Sequence, residues 1–334
     1  MSITKVSILN FEYTAKSLEI YPFFPVINSQ LEQDPKHLDT ISYFNCCILH
    51  FFATNRSQIF AFLAKIKALM KTLSENNLPD VQSSVDPRNI DIEYVGVRGM
   101  ELPVSVQSST GLQHTVAKIG MYVGLDASKK GTHMSRFLGL LSNHQTPISH
   151  QSLVDLMQQM LQNLDAIEGK IELEFPFFVK KAAPVSKLES LMNYQVRYEV
   201  IERNGQLHVL QTTVVPVTSL CPCSKEISRY GAHNQRSHIT ITIRCNDGQV
   251  SLEDQIRYAE ESASCALWSQ LKRVDEKFVT ERAYENPKFV EDLIRDVAVA
   301  LNADSHILAY RIQAENFESI HNHSAYAQIS KGVL

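Results

Sequence analysis

The sequence predicts an α+β protein whose antiparallel strand pairs are backed by helices. Three observations predict it. Several segments alternate apolar and polar residues with period two, and others carry apolar stripes at helical spacing behind a capping residue. An Asn-Gly dipeptide, Asn204-Gly205, joins two strand-like runs as a hairpin turn.

Taken in order, residues 95–106 and 115–125 read as strands, rich in β-branched residues. Ser149 or Ser152 caps a helix running to about Leu164, with Leu153, Leu156, Met157, Met160, Leu161 and Leu164 on one face. Residues 170–179 return to strand, and residues 195–201 and 206–217 flank the Asn-Gly turn. An irregular stretch leads to a strand over 238–244, with Ile239, Ile241 and Ile243 on one face and Thr240, Thr242 and Arg244 on the other. Ser251 with Asp254 opens a long helix whose stripe is Leu252, Ile256, Ala259, Ala263 and Leu267. Asn286-Pro287 reads as cap and first turn of another helix, with Val290, Leu293, Val297 and Leu301 inward. A strand region over 307–329 closes the chain. The order of strand pair, helices and strand pair occurs twice, which predicts a duplication.

The 334 residues carry 32 Lys plus Arg and 36 Asp plus Glu, a net charge of −4 that argues against nonspecific nucleic-acid binding. A hydrophobic content of 44% with 20% charged residues excludes disorder as the main state. Nothing reaches the roughly 18 consecutive apolar residues of a membrane span, and no Lys/Arg-rich start precedes an apolar stretch as in a secretory signal. A membrane partner is not expected, and the reading is cytoplasmic. Six cysteines are too few for a disulfide scaffold in a chain of this length.

The first segment looks foreign to the rest. There is no glycine before Gly96, and eight of the 15 Phe fall within the first 69 residues. Residues 60–69 have helical spacing, and Met70 precedes a polar stretch suited to a mature start. The segment reads either as an appended helical element or as dispensable chain.

Chemistry concentrates in residues 219–236, where one strand ends and the next begins. There Cys221-Pro-Cys223 lies near His233, with Lys225, Arg229 and Arg236. One thiolate and one imidazole fall short of a closed structural zinc site, as does the spacing. A catalytic metal, which keeps a position open, fits better; the plainer alternative is two small buried thiols. His321 and His323 fall on one strand face, continued by Ala325, Ala327 and Ile329. Glu276, Glu281 and Glu291 lie between and within the two C-terminal helices, and Glu291 aligns with Ile294 and Ala298. Residues 129–136, with Lys129, Lys130, Thr132, His133, Ser135 and Arg136, suit phosphate oxygens or a solvated charged loop equally.

Together these segments resemble the type IB GTP cyclohydrolase I family of tunnelling-fold enzymes. The matching stretches are 78–82, 130–137, 221–236, 275–292 and 320–326, so the resemblance spans about residues 78–330. It implies tandem ββααββ modules, 78–200 and 201–334, the second carrying the metal site, with 1–77 as an extension. It also implies an oligomer, a homotetramer with sites at subunit interfaces, and conversion of GTP and water to 7,8-dihydroneopterin triphosphate and formate, the entry to tetrahydrofolate-type pterins. On matching positions, Cys221, His233 and Glu276 are the implied ligands of one divalent ion, zinc, manganese or iron. Glu291 is the implied guanine-reading carboxylate, and His321 and His323, with Cys221, the implied catalytic groups. His133, Ser135, Arg136 and Lys225 are the implied triphosphate contacts. Two other functions compete: a nitrile reductase-like tunnelling-fold enzyme with a cysteine nucleophile, and a nonenzymatic zinc-stabilised binding module.

Overall fold

The computed structural model describes residues 80–143 and 146–334, the side chain of Asn143 apart. The expectations for residues 1–69, including a start at Met70, lie outside these.

The described residues form one eight-stranded sheet and six helices. In chain order they are β1 (Ile92–Ser108), β2 (Gly111–Leu125), α1 (Met134–Asn143), α2 (His150–Leu164), β3 (Gly169–Ala182), β4 (Glu189–Arg203) and β5 (Gln206–Leu220). There follow α3 (Pro222–Ile227), β6 (Asn234–Cys245), α4 (Leu252–Ser262), α5 (Arg273–Glu285), α6 (Val290–Ala303), β7 (Ile307–Asn316) and β8 (Ala325–Lys331). Spatial order follows chain order and every neighbour is antiparallel, so among the described residues β1 and β8 are open edges.

Period-two alternation gives the sheet two unlike faces. On β3, Ile171, Leu173, Phe175 and Phe177 point inward, while Lys170, Glu172 and Glu174 lie opposite. The apolar face, with Ile171, Val196, Val215, Ile241 and Ile312, meets the stripes of α2, α4 and α6 in a continuous core. The other face is polar: Lys170 bridges Glu172 and Glu199 at 2.7 and 2.9 Å, and Arg197 bridges the same two carboxylates at 3.0 and 2.9 Å.

Most local expectations hold. Ser149 caps α2, Ser251 caps α4, and the Asn204-Gly205 turn has φ of 54° and 72°, the left-handed pair that this dipeptide favours. Four elements differ, each through a tertiary contact. The stretch 129–136 becomes helical from Met134, because Phe137, fully buried, anchors α1 in the core. The predicted long helix stops at Ser262, since Cys265 pairs with Thr218 of β5 through two backbone bonds of 3.0 and 3.3 Å. Asn286 does not start a helix; it closes α5, with its amide donating to the carbonyls of Ala263 and Ser264 at 2.9 and 3.3 Å, and α6 begins at Val290. Finally, the 307–329 region splits, because the β7–β8 ladder ends at Asn316–Ala325 and residues 317–324 leave the sheet. The expected module division at 200/201 falls near the end of β4. No helix of the described residues is long and apolar enough to cross a membrane.

Candidate active site

The last rung of the β5–β6 ladder is Leu220–Asn234, and Cys221 and His233 sit just beyond it. The Cys221 amide donates to the His233 carbonyl at 3.1 Å. Ser224, in the short helix α3, staples the pair. Its hydroxyl accepts from the His233 amide and donates to the Cys221 carbonyl, both at 3.1 Å, and its amide donates to the Cys221 Sγ at 3.4 Å. Cys221 is half-buried and Cys223 exposed; all four described cysteines are free thiols.

The His233 ring is oriented by its own neighbours. Nδ1 lies 3.0 Å from Gln235 Oε1 and 3.8 Å from Glu318 Oε2, with the His233 and Glu318 side chains each 12% exposed. Both neighbours present acceptor oxygens, so Nδ1 carries the hydrogen and the Nε2 lone pair is left for a ligand, as in metal-binding histidines. Gln235 had a faint sequence signal, two residues from His233 on the inward face of β6. Ser224 and Glu318 had none, since their roles arise only from the folded contacts.

The other predicted residues occupy several places. Glu276 is exposed on α5, and Glu291 is exposed in the first turn of α6, at the rim of the stripe that holds buried Ile294 and Ala298. His321 and His323 are not on a strand face, as expected, but exposed in the 317–324 loop, their rings stacked at 5.1 Å and 20°. Lys225 donates to the Tyr284 carbonyl at 2.6 Å and lies over the Tyr284 ring, tying α3 to α5. His133, Ser135 and Arg136 cluster at the start of α1, where His133 Nε2 is 3.3 Å from Asp80 and Arg136 donates to the Asn163 carbonyl at 3.1 Å.

The donor types suit a borderline divalent ion: a thiolate, an imidazole with its second nitrogen tied, and a carboxylate. Cys221 and His233 form a half-site. Among the described residues no three His, Cys, Asp or Glu side chains converge closely enough to hold an ion, so Glu276 stands apart in the single chain. Two cavities among the described residues lie elsewhere. One of about 270 Å³ is lined by Lys181, Tyr194, Arg257 and Glu260, and one of about 310 Å³ by Ser105, His114 and Thr146.

A family model for type I GTP cyclohydrolase folE2 matches residues 78–327. The GTP cyclohydrolase FolE2 2 of Cupriavidus metallidurans is 56% identical over 252 residues, covering 75% of this chain and 94% of its own. The GTP cyclohydrolase FolE2 of Herminiimonas arsenicoxydans is 56% identical over 254 residues, covering 76% and 97%. Among solved structures, the uricase of Arthrobacter globiformis aligns over 71% of this chain and 92% of its own at 8% identity and a TM-score of 0.42, too loose a likeness to bear on fold or chemistry. With the matched region spanning the sheet from β1 into β8 and every candidate site residue, the chain belongs to the type I GTP cyclohydrolase FolE2 family.

Proposed function

We propose that this chain is a metal-dependent GTP cyclohydrolase I, converting GTP and water to 7,8-dihydroneopterin triphosphate and formate. The observation that carries the reading is the Cys221–His233 half-site, with Nδ1 tied, in a chain 56% identical to named GTP cyclohydrolases. Cys221, His233 and Glu276 would hold one zinc, manganese or iron ion. When bound, such an ion supplies Lewis acidity that activates water near neutral pH.

The remaining steps fall to side chains of this chain. Water adds to C8 of guanine and the imidazole ring opens to a formamide. A second water releases C8 as formate, and the freed amine closes on the carbonyl of the rearranged ribose with loss of water, so one water is consumed net. His321 and His323 supply the imidazoles that hand protons to and from the ring nitrogens. Glu291 accepts the guanine N1–H and 2-amino hydrogens, and adenine, lacking that pattern, would leave the carboxylate unpaired; discrimination of this kind reaches ~10⁴. The triphosphate is assigned to His133, Ser135, Arg136 and Lys225; the first three lie at the N-terminus of α1, where the helix dipole favours anions.

The finer architecture we infer is two ββααββ modules of the tunnelling fold, supported by the succession of strand pairs and helices. A homotetramer with sites between subunits is supported by β1 and β8, edges left open among the described residues. Exposed apolar side chains around the half-site support it too: Ile227 is 80% exposed, Tyr230 97% and Ile320 65%. A cytoplasmic setting agrees with the free thiols.

The test is to incubate metal-loaded protein with GTP and follow pterin fluorescence after oxidation together with formate release. A chelator should abolish both while the circular dichroism of the fold persists. Turnover that survives the chelator would favour a cysteine-nucleophile enzyme, and unfolding would favour a zinc-stabilised binding module.

A further inference from the structure

We propose that Asp275 is a positioning residue for the neighbouring Glu276 and thereby sets how tightly the site holds its divalent ion; the inference rests on the reading of Glu276 as a ligand. Little else holds α5. Of its 13 residues only Asp275 and Ala283 are buried, while Val274, Phe278 and Tyr284 are 53%, 41% and 41% exposed. Apolar burial of this size cannot fix the helix. Its C-terminal end is tied by polar contacts to the Cys221 turn: Lys225 to the Tyr284 carbonyl at 2.6 Å, and the Lys288 amide to the Leu220 carbonyl at 3.0 Å.

The N-terminal end hangs on one carboxylate. Asp275 Oδ1 accepts from the amides of Val185 and Ser186, both at 2.8 Å. Oδ2 accepts from the Ser186 hydroxyl at 2.6 Å and the Lys272 amide at 2.9 Å. Only the Lys272 bond is a helix cap. The other three reach the β3–β4 turn, 89 and 90 residues away, and that turn is closed by the Ala183 amide on the Leu188 carbonyl at 2.9 Å. The anchor therefore belongs to the rigid sheet. Successive helical residues differ by about 100° around the axis, so anchoring Asp275 inward fixes the direction in which Glu276 projects. A liganding atom tolerates only ~0.2 Å of error in distance, so release of this end would misplace the Glu276 carboxylate.

The test compares Ser186→Ala, Asp275→Asn, Glu276→Gln and the Ser186→Ala/Glu276→Gln double variant of the full chain. Zinc affinity is measured by chelator competition, the d–d spectrum is recorded after cobalt loading, and thermal melts are followed by circular dichroism. Ser186→Ala removes one anchor bond and keeps the cap, while Asp275→Asn turns a donor toward the Lys272 amide. Both should weaken zinc binding by roughly 10- to 100-fold and alter the cobalt spectrum. In the Glu276→Gln background, Ser186→Ala should weaken binding no further. If Asp275→Asn fails to fold, Ser186→Ala carries the test. Unchanged zinc affinity in Glu276→Gln overturns the ligand reading. Loss in Glu276→Gln with unchanged affinity in the two anchor variants, or additive loss in the double variant, overturns the positioning role alone.

Discussion

Replacing Gln235 by Leu tests how the half-site is oriented. Gln235 is 8% exposed and its Oε1 lies 3.0 Å from His233 Nδ1, so leucine keeps the volume and deletes the acceptor. The ring then has no close partner to hold the tautomer. The next oxygen, Glu318 Oε2 at 3.8 Å, is beyond hydrogen-bond reach unless the 317–324 loop shifts. Loss of such an outer partner lowers metal affinity about 10- to 100-fold, or about 1.4–2.7 kcal/mol at 1.36 kcal/mol per tenfold. Because Glu318 stands close by, Gln235→Leu alone belongs at the lower end and Gln235→Leu/Glu318→Ala at the upper end. The assay is zinc titration against a chromogenic chelator, with the apo-protein melt as a control for folding. If the double variant binds zinc as tightly as the unmodified chain, the tautomer argument fails and His233 is not held for a metal through Nδ1.

Further outcomes follow from other contacts. Glu291→Gln exchanges an acceptor for a donor at an exposed helix start, so kcat/KM for GTP should fall at least about tenfold with metal retained; an unchanged value removes Glu291 from the guanine pocket. Cys221→Ala should lose metal and turnover together, whereas Cys223→Ala, at an exposed position, should retain metal; equal metal loss in both would falsify the assignment. Burial pushes the imidazoles of His150 and His238 below the usual histidine range, with Arg236 adding to the effect at His238. The unfolded chain then takes up protons first as pH falls below about 6.5, so stability should decline through that window. A urea midpoint that does not fall between about pH 7.5 and about pH 5.5, or a fall undiminished in His150→Gln, would contradict this.

The sequence by itself determined the elements whose signal is local. Period-two alternation gave β6 its buried Ile239, Ile241 and Ile243, and the α6 stripe is buried at each of Val290, Leu293, Val297 and Leu301. Asn204-Gly205 specified its turn because few residues adopt two left-handed conformations in succession. The proximity of Cys221 and His233 was also legible, since both border one strand connection. Tertiary structure decided what depended on partners far along the chain. Asn286 reads as a helix cap, yet its amide satisfies carbonyls at 263 and 264, and Cys265 ends α4 by pairing with Thr218. Asp275 gives no periodic signal, because its four donors come from a turn some 90 residues away as well as from its own helix start. Glu318 acquires a role only when β7 ends and its loop turns back toward β6. A buried polar group needs partners from wherever the fold brings them, and a linear pattern records only those close by in sequence.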